Sequence, residues 1–127
     1  MKKTSLALSL GLALIVAASA VVRAHEKVKL TGYMVDKMCA SGHLKDTPEK
    51  ANAFAAKHSG TCALMPECTE SGFGIITDGK WYPFDAKGNE LAKTIFQNTK
   101  KKDHIGVTVE GMEHDGKIMV ETITETE

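Results

Sequence analysis

Three cysteines and two histidines crowd into one stretch of the chain, residues 36–70: Cys39, His43, His58, Cys62 and Cys68. Their spacings are C-x3-H, H-x3-C and C-x5-C. Thiolate and imidazole are the ligands preferred by Zn²⁺ and by other soft or borderline metals, and a closed tetrahedral site takes four of them. Cys39, Cys62 and Cys68 with either His43 or His58 supply that number. None of the spacings is the C-x2-C knuckle of the commonest zinc sites. The same thiols carry a second reading. One disulfide, from Cys39 to Cys62 or Cys68, would staple the segment and contribute about 2–4 kcal/mol. An odd count then leaves one thiol free, paired between molecules or held by a ligand.

The flanking residues have simpler expected roles. Asp36 closes the first strand and reads as a turn or cap residue, not a general base. His58 falls on the apolar face and in the last turn of a helix, where the dipole favours a partly charged imidazole; ligation is the alternative. His43 follows Gly42 in a loop and is free to coordinate. His104 and His114 fall in surface turns and are assigned no role. Met34, Met38 and Met65 flank the cysteines, and thioethers suit Cu(I), but core or gap-filling positions are expected for them. His25 is a separate case. Were the chain cut after Ala24, its amine and ring nitrogen would chelate copper together, given a second histidine nearby.

Enzyme motifs are missing from the sequence: it holds no C-x-x-C redox pair, no C-x-x-C-H, no G-x-S-x-G and no H-E-x-x-H. A thiol-dependent redox activity would need Cys39 activated by His43, and no third group is evident to orient that pair. A non-enzymatic domain is expected.

The elements that must position these residues begin after a leader. Met1-Lys2-Lys3 precedes an apolar run from Leu6 to Ala20, followed by small-x-small sites at Ala18-Ser19-Ala20 and Val22-Arg23-Ala24. This is the pattern of a cleavable signal peptide over residues 1–24, and its run is shorter than the roughly 20 residues of a membrane span. The expected product is a periplasmic or secreted domain, residues 25–127, with no stable membrane anchor and room for one core. Setting aside Lys2, Lys3 and Arg23 leaves 13 basic residues against 16 acidic ones. That balance argues against a nucleic-acid partner, whose phosphates need a concentrated basic face.

Within the domain, residues 27–35 alternate as a strand. Thr47-Pro48-Glu49 starts a helix whose Ala51, Phe54, Ala55 and His58 share one face. Phe73–Thr77 and Lys80–Phe84 flank Asp78-Gly79, a two-residue hairpin signal, and Pro83 predicts an edge strand. Gly88–Asn98 reads as a second helix. Ile105–Gly111 and Lys117–Thr124 are two further strands, joined through Asp115-Gly116. Five strands with a helix between the third and fourth is the order of a small OB-like barrel. The Cys/His-rich segment is then a helical insert between strands 1 and 2.

Several short pieces occur together: Thr31-Gly32-Tyr33-Met34-Val35-Asp36-x-x-Cys39, Cys62 with Cys68, Gly72-Phe73-Gly74, Asp78-Gly79-Lys80-x-Tyr82 and Val107-Thr108-Val109-Glu110-Gly111. In this order, with a closing strand from Ile118 to Ile123, the chain resembles a group of small exported bacterial proteins of unknown function. They share a Gly-x-x-x-Asp-x-x-Cys strand end and an OB-like barrel. The resemblance implies the fold, the exported location and the set Asp36, Cys39, Cys62 and Cys68, and it implies no activity. The helical insert over Pro48–His58 is longer than in that group. The function expected is a binding module in which the Cys/His cluster holds a metal ion, zinc or another soft or borderline one, or a small ligand. The alternative is a disulfide-stapled structural or interaction domain without metal, its protein partner unknown.

Overall fold

The computed structural model describes residues 25–127, so the signal peptide expected over residues 1–24 lies outside the described residues. Strand β1 (Glu26–Asp36) leads into four helices: α1 (Lys37–Ser41), α2 (Pro48–Lys57), α3 (Gly60–Ala63) and α4 (Pro66–Ser71). The hairpin β2 (Phe73–Thr77) and β3 (Lys80–Pro83) follows, then α5 (Ala86–Asn98) and the hairpin β4 (Gly106–His114) and β5 (Lys117–Glu125). The five strands form one antiparallel sheet in the order β3-β2-β1-β4-β5. β3, which carries Pro83, is an edge strand, as the missing proline N–H requires. Beyond the ladders, a parallel bridge pairs Phe84 with Ile118 of β5.

Local chemistry accounts for the elements. Both hairpins turn on Asp-Gly, and each Asp and Gly takes the positive φ that a type I′ turn demands: 49° and 75° at Asp78-Gly79, 49° and 76° at Asp115-Gly116. Thr47 caps α2 through its side chain and Pro48 opens the helix. Asp85 caps α5 by accepting from the Gly88 N–H and also accepts from the Val120 N–H, which ties this helix to β5.

β1 organises the molecule. Residues 26–33 pair with β4, and residues 33–36 pair with β2. The crossover falls at Gly32, where a Cβ would lie 2.2 Å from the Ile76 carbonyl oxygen. Only glycine permits that approach. Past it, β1 is buried on both faces. Met34 joins the main core with Phe73, Ile75, Phe84, Phe96, Val107 and Ile118, while Val35 packs with Ala40, Ala55 and Ile76 under the helical insert. The last residue of β1, Asp36, is therefore delivered to a fully buried position.

Candidate metal centre

The three cysteines occupy equivalent places in three short helices. Cys39, Cys62 and Cys68 are each the third residue of α1, α3 and α4. In two of the three, the residue before the helix fixes the cysteine directly. The Asp36 Oδ1 accepts from the Cys39 N–H at 2.9 Å, and the Ser59 Oγ accepts from the Cys62 N–H at 3.1 Å. These are N-cap bonds. Cross-ties hold the helices to one another. The Ser71 hydroxyl donates to the Cys68 carbonyl and accepts from the Met38 N–H, and the Thr69 hydroxyl donates to the Ala63 carbonyl. The Lys37 N–H donates to the Gly72 carbonyl, which locks the start of α1 to the approach of β2.

As a result the Cys39, Cys62 and Cys68 sulfurs all lie within 4.8 Å of one another. Cys39 Sγ and Cys62 Sγ are 3.8 Å apart, and all three thiols are free. A disulfide is about 2.05 Å long, so none is formed here. Ligand atoms of Asp36, Cys39 and His58 make a second group within the same 4.8 Å limit, so Cys39 is common to both sets.

His58 reaches this place because it ends α2 on the buried face, its N–H donating to the Ala55 carbonyl. Its ring Nε2 stands 2.9 Å from Asp36 Oδ2, with both side chains almost completely out of solvent. The two atoms pair with each other at ion-pair distance inside the site. Burial pushes the His58 imidazole below its ordinary range, against the upward pull of the Asp36 charge. The imidazole is thus held neutral, the form that binds a metal.

The thiols are pushed the other way. Burial raises Cys39 and Cys68 above the usual thiol range, and the Asp36 charge adds to it. Without a cation, Cys39 and Cys68 are held as S–H. A dication would supply the positive charge that a buried carboxylate and thiolates lack.

His43 is placed elsewhere. Its Nδ1 lies 2.7 Å from Asp46 Oδ2, and its ring stacks on Phe54 at a centroid distance of 3.7 Å. It falls in neither group of ligand atoms among the described residues, and its half-exposed loop is occupied by these two contacts. Asp36 is both the cap expected of it and a member of the cluster, beside the cysteines with which the resemblance grouped it. The signals were present: Asp36-x-x-Cys39 and Ser59-x-x-Cys62 both match a cap followed by the third helical residue. Of the methionines, Met34 is a core residue as expected, but Met38 and Met65 are 54% and 51% exposed. They fill no gap, because each lies at the start of a short helix whose next positions carry the buried contacts.

Comparison with protein-family models, with curated proteins and with solved structures finds no match, so the centre is interpreted from its own geometry.

Proposed function

We propose that this chain is an exported, non-enzymatic metal-binding domain. Cys39, Cys62 and Cys68 would hold one zinc ion or another soft or borderline dication, and His58 would complete a tetrahedral set. Asp36 would act from behind as the carboxylate that orients the histidine and raises its basicity. The observation that carries this reading is the convergence of three free sulfurs within 4.8 Å, sharing Cys39 with the buried Asp36 and His58. His58, which groups with Cys39 and Asp36 but not with Cys62 or Cys68, is favoured over His43, which falls in neither group. The scaffold is read as an OB-like barrel, which the strand order and the Phe84 to Ile118 bridge support. Export is read from the leader pattern of residues 1–24.

A specific contact favours one other reading. Cys39 Sγ and Cys62 Sγ, 3.8 Å apart, need only a small movement to join, which would give a stapled domain with Cys68 left over.

Intact mass spectrometry of the exported protein, under native conditions and then after denaturation with an alkylating agent, separates the two. One bound metal and three alkylated thiols is the expected result. A mass lower by two hydrogens, one alkylated thiol and no metal would overturn the metal reading. With metal present, His58→Ala should release it and His43→Ala should not.

A further inference from the structure

At the far end of β1, the register with β4 sets Glu26 opposite Glu113. The next rung outward brings His25 against His114, with ring centroids 4.6 Å apart and planes inclined by 33°. His114 is the last residue of β4, and its Nε2 lies 3.2 Å from Asp115 Oδ2 in the turn that follows. The surface turn to which His114 was assigned is thus the place where a second histidine meets His25. The two imidazoles are therefore neighbours across the end of the β1–β4 ladder.

The sequence supplies a third nitrogen. Val22-Arg23-Ala24 is a small-x-small cleavage site, and a cut after Ala24 frees the α-amine of His25 itself. An amine and an Nδ1 on one residue close a six-membered chelate ring around a metal. The ordinary pKa of an α-amino group, about 7.7–8.0, lets a metal displace its proton near neutral pH. Three nitrogens from two neighbouring residues suit the tetragonal preference of Cu²⁺, the strongest binder of the first-row series.

We propose that the processed chain carries a second, surface metal site, in which the His25 α-amine, His25 Nδ1 and one His114 ring nitrogen bind Cu²⁺. Asp115 holds the His114 ring from outside the site. The proposal rests on the export reading only in requiring cleavage after Ala24, and it uses none of the cysteines.

The test expresses the full chain with its leader in an exporting bacterium and reads the new N-terminus by intact mass. The recovered protein is loaded with zinc to occupy the thiols, then titrated with Cu²⁺ and followed by electron paramagnetic resonance. Expected are a start at His25 and one copper showing hyperfine coupling to three nitrogens. His114→Ala should remove one of them. It should weaken copper binding by roughly tenfold or more, since loss of outer partners alone costs that much. A chain engineered to keep Ala24 ahead of His25 should lose the amine coupling. A start at Val21, copper bound through sulfur, or copper binding unchanged in both variants would overturn the proposal. Failure of zinc to load counts against the cysteine centre alone, because the nitrogen signature is read independently of it.

Discussion

The two ends of β1 carry histidine and carboxylate in opposite circumstances. At its C-terminal end Asp36 and His58 face each other with 0% and 3% of their side chains exposed. At its N-terminal end His25 and His114 lie in the open, with the His114 to Asp115 pair about half exposed. The same strand makes both because Gly32 lets it pass from the β4 ladder, solvated at its end, to the β2 ladder, covered on both faces. Burial decides what each end can do. A buried centre cannot leave its polar atoms unpaired without cost, so a metal there becomes part of the fold. An exposed pair gives up only hydration when it binds, so a metal there is a passenger.

That contrast breaks most readily at the sulfurs. Cys68→Ser removes a ligand at a position only 5% exposed and should abolish metal retention. A ligand present at a thousand times its dissociation constant stabilises the folded state by about 4 kcal/mol. For a domain of this size, the loss should lower Tm by roughly 15–30 °C. Thermal unfolding of the variant beside the parent, each with and without chelator, checks it. The parent should fall toward the variant when chelator is added, and the variant should not respond. Equal Tm values in all four samples would mean that the buried end holds no structural metal.

The metal-free protein sharpens the contrast through pH. His58 binds its proton less readily folded than unfolded, so the unfolded chain holds more protons on the acid side. Stability from this group is present above about pH 6.5 and is lost as the pH falls below it. Cys39 and Cys68 hold their protons more tightly folded than unfolded. Their contribution is present below the unfolded thiol value, about 8.5, and is lost as the pH rises beyond it. Metal-free protein should therefore be most stable in the window between. Each group changes the slope by at most about 1.4 kcal/mol per pH unit. Urea titrations across the pH range measure this, and His58→Gln should flatten the acid limb. A limb unchanged in that variant would show that His58 is not its source.

Much of this arrangement was legible in the residues, for identifiable reasons. The Asp-Gly hairpins, the Thr47-Pro48 helix start and the apolar alternation of the strands are local signals, and β1, α2, β2, β3, α5, β4 and β5 follow them closely. The one-turn helices α1, α3 and α4 left no periodicity to find, since four to six residues do not complete a pattern at 3.6 per turn. Their caps, Asp36 and Ser59, were the available clue. The choice between His43 and His58 depended on which side of the insert each ring faces. Phe54 and Asp46 draw His43 away, while the end of α2 points His58 inward. The pairing of His25 with His114 spans most of the domain in sequence. It follows only from the antiparallel register of β1 and β4.

The smallest expected effect falls at that exposed end and is the most discriminating for it. His114→Ala removes a half-exposed ring whose contacts are the tilted approach of His25 and the carboxylate of Asp115. Surface substitutions of this kind usually change stability by no more than about 0.5 kcal/mol. Exposed ion pairs contribute from nothing to about 1 kcal/mol. Chemical denaturation should therefore place the variant within roughly 0.5 kcal/mol of the parent, with its zinc content unchanged, while Cu²⁺ binding weakens by roughly tenfold or more. A large loss of stability or of zinc would mean that the two ends of β1 are energetically one unit. Separate responses would make them two sites on one strand, distinguished by what covers them.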